Sequence, residues 1–140
     1  MFSQLQVQVV ERYGVRLHTR VGGTGTPLLL LHGHLQSMAR RHKVLPALMA
    51  RHRVVLMDLR GYGDSSRPAP DETHLNHSKR DMALDAMAVM QAHGFERFDA
   101  LALWRERATQ VTGEALPCGH YLAEELPDQV AAQALNFFQS

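Results

Sequence analysis

A chain of 140 residues with 45% hydrophobic and 21% charged side chains has ordinary globular composition and the length of one domain with a single core. Fifteen Lys/Arg against fourteen Asp/Glu leave a formal net charge of +1, and the basic residues are scattered, which argues against nucleic acid or an anionic membrane as partner. The single cysteine, Cys118, cannot form an internal disulfide, no run approaches the roughly 18 apolar residues of a membrane span, and no secretory leader pattern opens the chain, so a reducing cytoplasm is the expected location.

Residues 5–10 (LQVQVV) and 15–21 (VRLHTRV) are rich in β-forming residues on either side of Tyr13 and Gly14, which predicts a hairpin. Glycines 22, 23 and 25 do not form G-x-G-x-x-G and open no helix, so they read as a flexible turn and not as a dinucleotide fingerprint. Leu28 to Leu31 is a continuous apolar run suited to a strand buried on both faces. A second such run, RVVLM at 53–57, ends at Asp58 and the turn-rich DLRGYGDSSRP. Two buried strands separated by a helical segment imply a parallel α/β sheet.

Three helices are expected. Between Ser37 and Met49 the apolar residues Met38, Leu45, Leu48 and Met49 fall near helical spacing, with Pro46 marking a kink or a fresh start. The second opens on Ser78 with Asp81 three residues later, carries Met82, Ala86, Val89, Met90 and His93 on one face, and stops at Gly94. Met82, Met87 and Met90 read as core packing. The third starts at Pro127 and carries Val130, Ala134, Leu135 and Phe138 on one face. After the second helix, FDALAL at 98–103 is expected to pair beside Leu28 to Leu31, as a right-handed crossover requires, although ALALWRERA also reads well as a helix beginning as early as Ala100.

LLLLHGH at 28–34 and DLRGYGDSSRP at 58–68, in this order and after a hairpin, resemble the N-terminal half of the α/β-hydrolases. The wording HGHLQ, HKVLPAL, DLRGYGDSS, HSKRDMALD and HGFERF is most similar to the haloacetate and fluoroacetate dehalogenase branch, through about Phe98. The resemblance resumes near Leu103, where LWRERATQVTGEALPCGHYLAEELPDQVAAQALNFF resembles the C-terminal end of the same family. It implies an incomplete α/β-hydrolase fold, a mostly parallel sheet with an N-terminal hairpin and flanking helices. The whole chain, 1–140, is then a single shortened domain, with 1–98 as its N-terminal half and 103–140 as its C-terminal end.

By the same resemblance, His32, Gly33, His34 and Leu35 form the loop that helps build an oxyanion hole, and His120 is the general base. The oxyanion donors in such a loop are backbone N–H groups, so His32 also has a purely structural reading. Leu35 stands where the family commonly has a proline, and Arg40 and Arg41 where it often has an apolar residue and a tryptophan. The implied activity is cofactor-free hydrolysis of carbon–halogen bonds in small 2-haloacids, through attack by an aspartate and a second step by water and His120. Trp104 reads as a helix-start anchor, since the lid in which related tryptophans serve halide sites is missing.

No Gly-x-Ser-x-Gly or Gly-x-Asp-x-Gly elbow occurs in the chain, so no nucleophile is identifiable, and the triad acid and helical cap expected between the two matching stretches are also missing. Asp64 and Ser65, in GYGDSS, belong to the loop after a strand and do not precede a helix, which makes them poor nucleophiles. A base without nucleophile or orienting carboxylate loses orders of magnitude in rate, so the shortened chain is expected to be inactive. The alternatives are a non-catalytic remnant or interaction module and, among hydrolases, an epoxide hydrolase or esterase. HGH lacks a third ligand at a recognisable spacing, so no metal site is expected. A small-molecule substrate in full-length relatives and self-association through an exposed sheet edge complete the expected partners.

Overall fold

The computed structural model describes residues 2–33, 35–69, 78–101 and 126–137, the side chains of residues 99–101 and 137 excepted. Val15–Gly22 (β2) folds back on Gln6–Arg12 (β1), pairing antiparallel from Gln6 opposite Val21 to Arg12 opposite Val15. The turn is Tyr13–Gly14, at φ 48° and 77°. Two consecutive positive φ values give the twist that a two-residue hairpin needs.

Thr26–Leu31 (β3), His52–Met57 (β4) and Asp99–Leu101 (β5) complete one sheet in the order β1-β2-β4-β3-β5. β2 meets β4 antiparallel, whereas β3 runs parallel to both β4 and β5. Among the described strands the sheet is therefore mixed, with the parallel part at β4-β3-β5. Leu28 lies opposite Asp99 and Leu30 opposite Leu101, so the segment expected beside Leu28 to Leu31 pairs there over 99–101. Residues 102 and 103 lie outside the described residues.

The alternation of β3 and β4 sorts the core onto two faces. Leu28, Leu30, Val54 and Leu56 pack on one face against Met38, Val44, Leu45, Leu48, Ala131 and Ala134. On the other, Leu17, Leu29, Val55 and Met57 pack against Ala86, Val89 and Met90. Leu45–Met49 (α1) and Pro127–Phe137 (α3) thus cover the first face, and Lys79–Ala92 (α2) covers the second.

Local chemistry explains each boundary. A 3-10 turn, Met38–Arg41, precedes α1, and Pro46 stands in the first turn of α1, so the expected single helix is two pieces with a fresh start where the proline's missing N–H costs nothing. At α2 the Ser78 hydroxyl accepts from the Asp81 backbone N–H at 3.1 Å. The other end closes with Phe95 N–H on the Met90 carbonyl and Gly94 N–H on that of Gln91, both at 2.9 Å. Gly94 at φ 82° supplies the left-handed residue that this cap demands.

Two expectations need correction. Met87 is 51% exposed, whereas Met90 is fully buried and Met82 packs at the edge of the core, because position 87 points away from the sheet. Gly23 and Gly25 are not a loose turn: φ is 78° and 112°, and a Cβ on either would run into the carbonyl oxygen of His52 or Arg51. The glycines let the chain cross the start of β4 at backbone contact.

Candidate functional site

β3 and β4 end side by side, Leu31 opposite Met57, and release two loops at the same end of the sheet. Parallel strands place their C-terminal ends together, the end where open α/β sheets bind ligands. The first loop carries His32, Gly33 and Leu35, and the second carries Asp58 to Ser66.

His32 ties the loops to each other. Its ring is buried, its Nε2 accepts from the Leu59 backbone N–H at 3.0 Å, and its Nδ1 lies 2.9 Å from the Gly33 carbonyl. A carbonyl can only accept and an N–H can only donate, so the pair of bonds fixes the neutral tautomer with the proton on Nδ1. Burial pushes its pKa below the ordinary 6.5, because a charged ring would lose both hydration and the Leu59 bond. With both nitrogens engaged by backbone, His32 has none to offer a substrate. Its structural reading is the one the geometry supports.

Gly33 donates to the Gln36 side-chain Oε1 at 3.4 Å, and its carbonyl accepts from the Gln36 N–H at 3.3 Å. Leu35 follows at φ 57° and is 83% exposed. A proline, fixed near −65°, could not hold that backbone, so the leucine in a common proline position accompanies a different loop path.

Asp58 is the second hub. One carboxylate oxygen accepts from the Met38 N–H at 2.8 Å and the other from the Asp64 N–H at 3.1 Å. Gly63, at φ 52°, lets the turn close on this carboxylate, which a Cβ there would strike. Ser65 Oγ donates to the Asp58 carbonyl at 2.6 Å and accepts from the His18 N–H at 2.9 Å. Asp64 is exposed, 3.6 Å from His18 Nδ1. Among the described residues, neither Ser65 nor Asp58 meets a general base with an available nitrogen.

Sequence reasoning missed three features around these loops. Arg60 forms a two-pronged pair with the buried Asp85 of α2, at 2.6 and 2.7 Å, and Arg12 reaches the same carboxylate at 3.0 Å. The Asp85 hydrogen bond raises the Arg60 pKa further above its ordinary value. Arg41 is 5% exposed and donates from Nε and Nη2 to the Leu31 carbonyl at 3.2 and 2.7 Å. His93 sets Nε2 3.2 Å from the Thr19 hydroxyl, and burial, with a contribution from Arg53, lowers its pKa. An arginine in a turn motif or an aspartate mid-helix is the only trace these leave in sequence. His34, His120, Cys118 and Trp104 lie outside the described residues, and so do most of the residues linking β5 to α3. Among the described residues no group of three His, Cys, Asp or Glu could hold a metal.

The family description "alpha/beta hydrolase fold" matches residues 26–102, the stretch from β3 through β5. The chain belongs to the α/β-hydrolase-fold family. This hydrolase-fold chain is 38% identical over 135 residues to a fluoroacetate dehalogenase of Burkholderia sp, covering 96% of this chain but 41% of that protein. It is also 38% identical over 84 residues to a soluble epoxide hydrolase of Corynebacterium sp. (strain C12), covering 60% and 28% of the two. Among solved structures, an α/β hydrolase of Nostoc sp PCC 7120 superposes at a TM-score of 0.69 with 45% identity, over 71% of this chain and 34% of that one. An epoxide hydrolase of Vigna radiata gives 0.63 with 26% identity, over 71% and 32%. The chain spans well under half the length of these relatives.

Proposed function

We propose that the chain is a scaffold of the fluoroacetate dehalogenase type that keeps the loop framework of a carbon–halogen hydrolase but does not turn over substrate alone. One observation carries this reading. The polar groups in the site, His32, Asp58 and Ser65, spend their hydrogen-bonding capacity on backbone and on one another. They shape a mouth, and among the described residues no nucleophile–base pair stands in it. His120 supplies the base in this reading, and the sequence offers it neither an elbow nucleophile nor an orienting acid.

The similarity along almost the whole chain favours dehalogenase over epoxide hydrolase ancestry, since the dehalogenase match covers 96% and the Corynebacterium epoxide hydrolase match 60% of the chain. Fluoride or chloride release from fluoroacetate and chloroacetate, measured with ion-selective electrodes against a His120→Ala control, tests the proposal. No release above the control is expected. Release clearly above it would mean that an aspartate such as Asp58, Asp64 or Asp99 acts as nucleophile. Hydrolysis of an epoxide, but of neither haloacetate, would move the chain to the epoxide hydrolase branch.

A further inference from the structure

Arg41 is a buried cation without a counter-ion among the described residues. It ends the 3-10 turn Met38–Arg41 and lies against the last residue of β3, beside the His32–Gly33 loop. Its charge is close enough to His32 to help hold that imidazole neutral. The other buried charges here are matched: Asp85 receives Arg60 and Arg12, and Asp58 receives two backbone N–H groups. Among the described residues Arg41 meets the Leu31 carbonyl and no carboxylate. Burial lowers its pKa and no acidic neighbour opposes that.

A guanidinium carries five N–H donors. The Leu31 carbonyl takes one from Nε and one from Nη2, which occupies the side edge of the fork. Both Nη1 protons and the second Nη2 proton are left. Those two nitrogens form the end edge, whose parallel N–H bonds match the two oxygens of a carboxylate. Arg41 is 5% exposed, and a desolvated cation without a partner among the described residues is the state that a small anion relieves.

We propose that Arg41 is an anion-binding residue, its Nη1–Nη2 edge holding the carboxylate of a small carboxylic acid at the C-terminal end of β3. The site stands whether or not the chain hydrolyses carbon–halogen bonds, and its test reads no turnover. Thermal unfolding of the full chain at pH 7.5 is followed in sodium acetate and in sodium chloride at equal ionic strength, for the wild type, Arg41→Met and Arg41→Lys. Expected is a saturable rise in Tm with acetate beyond that in chloride for the wild type, no such difference in Arg41→Met, and less than half the response in Arg41→Lys, which keeps the charge without the fork. Arg41→Met without ligand should melt no lower than the wild type, because it removes an unmatched buried charge. Equal effects of acetate and chloride on the wild type, or an undiminished acetate response in Arg41→Met, would overturn the site. Should Arg41→Met fail to fold, an acetate titration of the wild type followed through arginine Nε–H NMR decides: a saturable shift of one slowly exchanging resonance supports the site, and its absence refutes it.

Discussion

Replacing His32 by phenylalanine separates the clamp from the space it fills. Phenylalanine keeps an aromatic ring beside Tyr62, which His32 meets edge-on at 5.3 Å, so no cavity opens. What disappears is the acceptor for the Leu59 N–H and the donor to the Gly33 carbonyl. Leu59 is buried, and a stranded buried donor costs about 1–3 kcal/mol. Gly33 is half-buried, so water can serve its carbonyl, and its loss is nearer the ~1 kcal/mol net worth of an ordinary bond. Together these predict about 2–4 kcal/mol. With a urea slope of about 2 kcal/mol per M, the unfolding midpoint should fall by ~1–2 M with the slope unchanged. The pH profile gives an independent check. His32 has a lowered pKa when folded, so below about 6.5 the unfolded chain binds a proton that the folded chain refuses. Its contribution is whole above 6.5 and is lost as pH falls through the folded pKa. The variant should lose this part of the acid sensitivity and keep the part due to His93. A His32→Phe chain with the wild-type midpoint and the wild-type acid profile would refute the clamp.

Asp85→Asn strips the charge from a carboxylate that two arginines share, and should cost about 3–5 kcal/mol in urea unfolding, whereas the paired replacement Asp85→Leu with Arg60→Met should recover much of it. Gly63→Ala forces a methyl group onto the Asp58 carboxylate at a positive φ, and a fall of more than about 1 kcal/mol in stability is expected from thermal melts; an unchanged melt would mean the turn can open without loss. β5 has a partner strand on one side only among the described residues, so size-exclusion chromatography with light scattering should find a dimer or larger species. A monomer with a sharp cooperative melt at micromolar concentration would overturn that expectation.

The elements that sequence made legible are those whose cause is local. Tyr13–Gly14 announces its turn, Ser78 and Gly94 announce both ends of α2, and the leucines 28–31 suit a buried strand. What stayed hidden depends on partners distant in sequence. Asp85 looked like one more polar residue on a helix until Arg60, 25 positions away, and Arg12, 73 away, were brought to it. Gly23 and Gly25 looked loose because the backbone they touch comes from the start of β4. Of the site, the HG and DLRGYG loops were readable as motifs. Their bond to one another through the His32 ring was not, and it is this bond that assigns His32 its role. His34 and His120 rest on resemblance alone.

The wiring between those loops bears on how such motifs are to be interpreted elsewhere. His32 clasps the backbone of the second loop, and Asp58 clasps the turn after the first. Each therefore contributes to holding the sheet end together regardless of any reaction. A chain deprived of its chemistry would still be penalised for losing them, through instability and not through lost turnover. A histidine–glycine pair and an aspartate-led glycine turn in this arrangement thus report that a hydrolase-like mouth is folded. They carry no information about whether anything happens inside it.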